Sequence, residues 1–244
     1  MQTTNNTVLI TGGTSGIGLE LMKQFYMLGN YVIVTSSSQL NLKKLQSEFP
    51  KIEIVVCDLG DHVSVRKLID KCLMDYKNIN IVINNAGIQN NYSWTDEKDG
   101  YKKIENEIQI NFTSPMHIIY GLLPMLAEKQ NSAIVNVSSG LAFAPKKSAP
   151  VYCATKSAIH NATKALRYQL ETTSVKVFEV IPPLVDTAMT KGRGKDKISP
   201  KQLVDEFIRN FKNDNFESNI GKVKLLRLIQ RIFPKLADNI LKNS

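Results

Sequence analysis

The chain has 244 residues, 43% hydrophobic and 22% charged, which fits one large α/β domain with a packed core and excludes a disordered segment. Its formal net charge of +9 suits an anionic partner such as nucleic acid, a membrane surface or a phosphorylated ligand. Cys57, Cys72 and Cys153 form no CxxC pair, and His62, His117 and His160 are scattered, so neither a disulfide framework nor a metal site is expected.

The polar opening MQTTNNT runs straight into a first strand, and no apolar run approaches about 18 residues. Neither a signal peptide nor a transmembrane helix is expected, and the location is expected to be cytoplasmic. Strands are predicted at 7–11, 31–35, 52–57, 79–84, 133–139 and 175–181, with a weak one near 216–220. They are rich in Val and Ile and apolar almost throughout, the mark of strands buried on both faces of a parallel sheet. Helical patterns fall between them near 16–28, 39–48, 62–76, 101–128 and 150–172. This alternation predicts right-handed crossovers and an α/β fold: a Rossmann-type, doubly wound parallel sheet of six to seven strands with helices on both faces. No linker or repeat interrupts residues 1–244, so a single domain is predicted. After Pro182, residues 186–200 read as a loop and a helix follows near 200–212; the span 186–215 is expected to serve as a substrate loop. The tail, 220–244, reads as two basic amphipathic helices broken at Pro234.

The first strand ends in TGGTSGIG, residues 11–18. Gly12, Gly16 and Gly18 permit a tight turn, close approach of a ligand and packing of the next helix on the sheet. Backbone N–H groups at that helix start then face an anion. The spacing is GxxxGxG and lacks the Lys-Ser/Thr ending of a Walker loop. After the second strand come Thr35, Ser36, Ser37 and Ser38, with no acidic residue to claim ribose hydroxyls. Ser36 and Ser37, with Lys43 and Lys44 nearby, suit a 2′-phosphate, so NADP is favoured and NAD remains the alternative. The same serines also read as a turn capping the next helix.

Downstream, Tyr152 and Lys156 stand four residues apart in YCATK, on one face of a predicted helix. A carbonyl reduction needs a proton for the oxygen, and Tyr with its reference pKa of about 10 is a poor acid at neutral pH. Bringing it to about 7 takes ~4 kcal/mol of phenolate stabilisation, of which one cation at about 4 Å supplies roughly 1 to 4 kcal/mol. Lys156 is the expected source, and an oxidised nicotinamide is expected to add further positive potential. Tyr152 is then the general acid for reduction and the base for oxidation. Cys153 lies about 100° around the helix from Tyr152 and is expected to be buried and inert.

With these motifs in order, the chain resembles the short-chain dehydrogenase/reductase family, and in SSGLAF, PVYCATKSA, PPLVDTAM and TKGRGKDKISP its DltE-like subgroup. The resemblance runs over residues 7–190. It implies that Thr14, Ser15 and Ile17 join the three glycines around the cofactor. It implies that Asp58 with Leu59 lies at the adenine, that Asn85, Ala86 and Gly87 of NNAG end the fourth strand beside the cofactor, and that Pro182, Val185 and Thr187 meet the nicotinamide side. Asn111, Ser139, Tyr152 and Lys156 match the four active-site positions. Ser139 would hydrogen-bond the substrate oxygen, Lys156 would also hold the nicotinamide ribose, and Asn111 would position Lys156 through water and backbone. Pro183 replaces the usual glycine and supplies no N–H.

The implied activity is hydride transfer between NADP or NAD and a small carbonyl or secondary alcohol substrate, in a homodimer or homotetramer. The alternative is a non-catalytic dinucleotide sensor, peripheral to a membrane. Substrate choice is expected to rest on residues 140–150 and 186–215. Residues 191–201 carry a net +4 and 220–244 a net +5, together the whole charge excess. The tail reads as a lid or subunit contact, with a weak membrane-surface contact as the other reading. No aromatic platform accompanies the charge, so no nucleic acid is expected.

Overall fold

Apolar runs buried on both faces and amphipathic stretches between them build the expected doubly wound sheet. A computed structural model describes residues 1–242; of the tail expected over 220–244, Asn243 and Ser244 lie outside the described residues. Seven parallel strands take the order β3-β2-β1-β4-β5-β6-β7. They are β1 (Thr7–Thr11), β2 (Tyr31–Ser36), β3 (Glu53–Val56), β4 (Ile81–Asn84), β5 (Ser132–Val137), β6 (Val175–Ile181) and β7 (Glu217–Asn219). The helices are α1 (Gly16–Met27), α2 (Gln39–Glu48), α3 (His62–Asp75), α4 (Gly100–Ile108), α5 (Ser114–Ala127), α6 (Pro150–Gln169), α7 (Pro200–Lys212), α8 (Val223–Ile232) and α9 (Pro234–Leu241).

The period-two alternation along each strand feeds two cores. Val8 and Ile10 face one side with Val32, Val34 and Phe178, packed by Leu21, Met22 and Phe25 of α1 and by Leu203, Phe207 and Phe211 of α7. Leu9 and Ile33 face the other, against Leu68 and Cys72 of α3 and Ile118 and Leu122 of α5. Ser199 and Gln202 cap α7 reciprocally, and Pro200 occupies its first turn.

The helix predicted over 101–128 is not continuous. A π-helical turn, 109–113, separates α4 from α5. Its buried Asn111 turns its amide away from the helix, accepting from Ile88 N at 2.8 Å and donating to Ile88 O at 2.9 Å. An extra residue in the turn is the backbone's response to a side chain aimed at a neighbouring loop. The strand expected over 133–139 ends at Val137. Ser138 still pairs with Val180 O, but Ser139 turns out to start a short 3₁₀ turn, 140–142. The weak strand near 216–220 exists as β7, and Pro234 separates α8 from α9. Among the described residues, no helix is long and apolar enough to cross a membrane.

Candidate active site

The strand order reverses between β1 and β4, and a doubly wound sheet opens a crevice there, at the carboxyl ends of its strands. A cavity of about 940 Å³ fills this place. Of the residues singled out from the sequence, Gly12, Thr14, Ser15, Gly16, Ile17 and Gly18 line it, as do Ser36, Ser37, Asp58 and Leu59. So do Asn85, Ala86, Gly87, Ser139, Tyr152, Lys156, Pro182, Val185 and Thr187. Asn111 lies behind the wall, 1% exposed.

The glycine loop is built for close approach. Gly12 has φ +66° and Gly16 φ +54°, the left-handed region that disfavours side chains. A Cβ on Gly18 would stand 2.3 Å from both Asn85 Nδ2 and Gly12 O. Asn85 explains that crowding: its Nδ2 donates to Thr11 O at 3.0 Å and Gly12 O at 3.3 Å, tying the end of β4 to the turn after β1. No side chain caps α1, so the first N–H groups of that helix open on the cavity. Uncapped N–H groups beside a glycine cradle fit the phosphates of a dinucleotide.

At the ribose end, Thr14 Oγ1 donates to Ser36 Oγ at 3.3 Å. The serine run divides between two places. Ser38 caps α2 by accepting from Asn41 N, while Ser36 and Ser37 face the cavity. Lys43 and Lys44 are exposed and do not line it, because burial of Leu42 and Leu45 turns them outward. Asp58 Oδ1 accepts from Gly60 N at 2.8 Å, which shapes the turn after β3.

At the other end, α6 presents Tyr152 and Lys156. Pro150 starts that helix, and its buried face includes Tyr152, Cys153, Thr155, Lys156 and Ile159. Lys156 Nζ donates to Val137 O at 2.8 Å and lies 5.6 Å from the centre of the Tyr152 ring. Thr155 links the pieces: its Oγ1 accepts from Asn111 Nδ2 at 3.2 Å and donates to Tyr152 O at 2.8 Å. Asn111 therefore acts on the loop at Ile88 and on Thr155 directly.

The electrostatics differ from the expectation that Lys156 draws the phenol down. Burial pushes Tyr152 up to about 12, with Ser139 pulling the other way, and the lysine is not among the causes. Burial likewise lowers Lys156 to about 8, partly offset by the Glu179 carboxylate. The amine spends its nearest contact on a carbonyl, and both groups are shielded from water, so desolvation wins. Ser138 faces away from Ser139, giving its hydroxyl to Glu179 Oε1 at 2.5 Å; His160 Nδ1 contacts the same carboxylate at 2.9 Å. Cys153 is 2% exposed in a small cluster with Ala149, Tyr152 and Leu141, and burial raises its thiol pKa, in line with an inert residue. Among the described residues, no group of three or more His, Cys, Asp or Glu could hold a metal.

The remaining wall was not resolved by sequence reasoning. Val223, Leu226 and Ile229 of α8 and Ile240 of α9 line the cavity, and Val223 is 2% exposed. Arg227 stacks over Phe143 at 4.3 Å and reaches Glu217 at 3.2 Å. The tail thus packs over the cleft, although Leu225, Leu228, Ile232 and Phe233 stay exposed. Lys146, which sits in no motif, and Arg193, one of several cations in TKGRGKDKISP, also line the cavity. Buried Glu107, one turn before Asn111, holds the same loop by accepting from Asn90 N at 3.0 Å.

Sheet and cavity together define a doubly wound α/β protein with one large crevice at its strand reversal. The family model described as short chain dehydrogenase matches residues 6–198, and the chain belongs to that family of oxidoreductases. It is 40% identical over 237 residues to a Bacillus subtilis (strain 168) protein named "Uncharacterized oxidoreductase DltE", covering 93% of this chain and 92% of that one. A short chain dehydrogenase from Burkholderia cenocepacia J2315, solved in complex with NADP, superposes over 100% of both chains with a TM-score of 0.88 at 22% identity. One from Sphingobium yanoikuyae, in complex with NADPH, gives a TM-score of 0.83 at 23% identity over 96% of this chain and 95% of that one.

Proposed function

We propose that the protein is an NADP-preferring reductase of a small carbonyl compound, with Tyr152 as its proton donor. The observation that carries this reading is that Tyr152, Lys156 and Ser139 share one cavity with an uncapped helix start and a glycine cradle. Serine hydroxyls and the absence of an acid after β2 favour the 2′-phosphate of NADP over a bare ribose.

A bound nicotinamide supplies or receives the hydride. Ser139 Oγ and Tyr152 Oη orient the substrate oxygen by hydrogen bonds. Tyr152 gives its proton to the oxygen as the carbonyl carbon is reduced. A phenol near pKa 12 is fully protonated at neutral pH yet far more acidic than the conjugate acid of an alkoxide, which resembles water at about 16. Burial thus keeps the phenol in its proton-bearing form at neutral pH, the form that reduction needs. Lys156, anchored on Val137 O, orients the ribose, and Asn111 fixes its loop and Thr155. The segment 186–215 and α8–α9 close the cleft as substrate loop and lid. The reading is tested by titrating NADPH and NADH into the protein and following NADPH consumption across a panel of aldehydes and ketones. NADPH binding with turnover of at least one member supports it; tight binding with no turnover on any member favours a sensor.

A further inference from the structure

The oxidoreductase reading leaves two cations of the cleft, one buried and one half-buried, without a task. Lys146 comes from the segment between β5 and α6, and Arg193 from the segment after β6, yet both line the cavity that holds Tyr152. Lys146 is 8% exposed, and its amine has no hydrogen bond or ion pair with any described residue. Arg193 is half-buried, and its Nη1 is fully buried without a hydrogen-bond partner. The other cations of the cavity wall differ. Lys156 donates to Val137 O and Lys222 pairs with Asp196 at 3.2 Å, while Lys195 is exposed to solvent.

Among the described residues, no carboxylate answers the pair. Asp196 is taken by Lys222, Asp58 stands at the turn after β3, and Glu107 lies outside the cavity wall, holding Asn90. Burial, then repulsion from Arg193, lowers the Lys146 pKa. Arg193 also pulls the Tyr152 phenol down, which sets it within electrostatic reach of the proton donor. A buried cation without a partner is costly, and an arginine cannot escape by losing its proton. An anion entering the cleft relieves both charges at once.

We propose that Lys146 and Arg193 grip an anionic group of the substrate, a carboxylate or a phosphate carried a few atoms from the reacting carbonyl. This rests on the oxidoreductase reading of the same site. Leu141, Val223, Leu226 and Ile229 of the same wall are apolar and suit a hydrocarbon body behind the charged group. The substrate class is an anionic ketone or aldehyde with an apolar chain.

The test uses the full chain loaded with NADPH and two matched probe pairs: levulinate against methyl levulinate, and dihydroxyacetone phosphate against dihydroxyacetone. Calorimetry reads binding, and loss of NADPH absorbance reads turnover. At least one anion is expected to bind about 10- to 100-fold more tightly than its neutral partner. Which anion wins distinguishes carboxylate from phosphate. Lys146→Met and Arg193→Met are each expected to erase most of that preference, and Lys146→Arg to retain it. Melting curves check folding, and Arg193→Met, at a half-exposed position, decides if Lys146→Met does not fold. Equal binding of both members of both pairs overturns the proposal. So does a tenfold loss of NADPH affinity in the variants with anion preference intact, because the cations then serve the cofactor. Anion preference without turnover of any ketone upholds the grip and overturns the reductase reading; turnover without preference overturns the grip alone.

Discussion

Replacing Lys156 by methionine isolates how much the fold sacrifices to bury an amine beside the proton donor. In an unfolded chain that lysine titrates near 10.4, whereas burial brings it to about 8 in the folded protein. Between these values the unfolded state binds more protons than the folded one, so this group's contribution to stability rises with pH. Below about pH 8 the amine is charged in both states and the full penalty is present. Above about pH 10.5 it is neutral in both, and the penalty is gone. Moving the amine from about 10.4 to about 8 corresponds to ~3 kcal/mol. Methionine fills similar volume and carries no charge, at the cost of the hydrogen bond to Val137 O, ~1 kcal/mol across the range. Relative to wild type, Lys156→Met is therefore expected to be more favourable near pH 7 than near pH 10.5 by ~3 kcal/mol. Urea unfolding of both proteins, followed by circular dichroism at several pH values, measures it. A gap that does not change with pH refutes the buried-amine argument. A gap that moves oppositely shows a raised lysine pKa, the signature of an ion pair with tyrosinate.

Phe207, fully buried between α7 and the sheet with its ring centre 5.4 Å from that of Phe211, anchors one core; Phe207→Ala is expected to cost about 3–5 kcal/mol in the same unfolding assay, and a loss under ~1 kcal/mol contradicts that packing. Gly18→Ala ought to gain about 1 kcal/mol from helix propensity. Its Cβ would instead meet Asn85 Nδ2 and Gly12 O at 2.3 Å, so lower stability and at least ~tenfold weaker NADPH binding are expected from melting and titration; unchanged affinity would show that the cradle is not where the cofactor sits. Asn111→Ala strips both partners from Ile88 and is expected to destabilise by about 1–3 kcal/mol, with faster hydrogen exchange at the Ile88 amide. Protection at Ile88 equal to wild type would contradict the loop-holding role.

Strand and helix order were legible because Val- and Ile-rich runs buried on both faces leave a pattern that only a parallel sheet shares. The cavity wall from Gly12 to Thr187 was legible because local motifs carry it. Three things were not. The π-helical turn at Asn111 depends on a loop some twenty residues upstream, and no local pattern records that bond. The lysine and tyrosine look like a simple charge pair at four-residue spacing. In the fold, Lys156 reaches Val137 O and both groups are buried, which reverses the expected direction for the phenol. Lys146 and Arg193 stand 47 residues apart in sequence, the first outside any motif and the second one cation among several in TKGRGKDKISP, and only the closed cleft brings them to one wall. The basic excess of the tail also pointed several ways until Val223, Leu226 and Ile229 were placed over the cavity.

The central claim, that Tyr152 donates the proton in a dinucleotide-dependent carbonyl reduction, is tested most directly by single-turnover oxidation of bound NADPH in wild type and Tyr152→Phe. The account predicts NADPH affinity within about twofold of wild type and a hydride-transfer rate lower by about 10²- to 10⁴-fold. Turnover at the wild-type rate in Tyr152→Phe, with the same ketone and the same cofactor affinity, would contradict it.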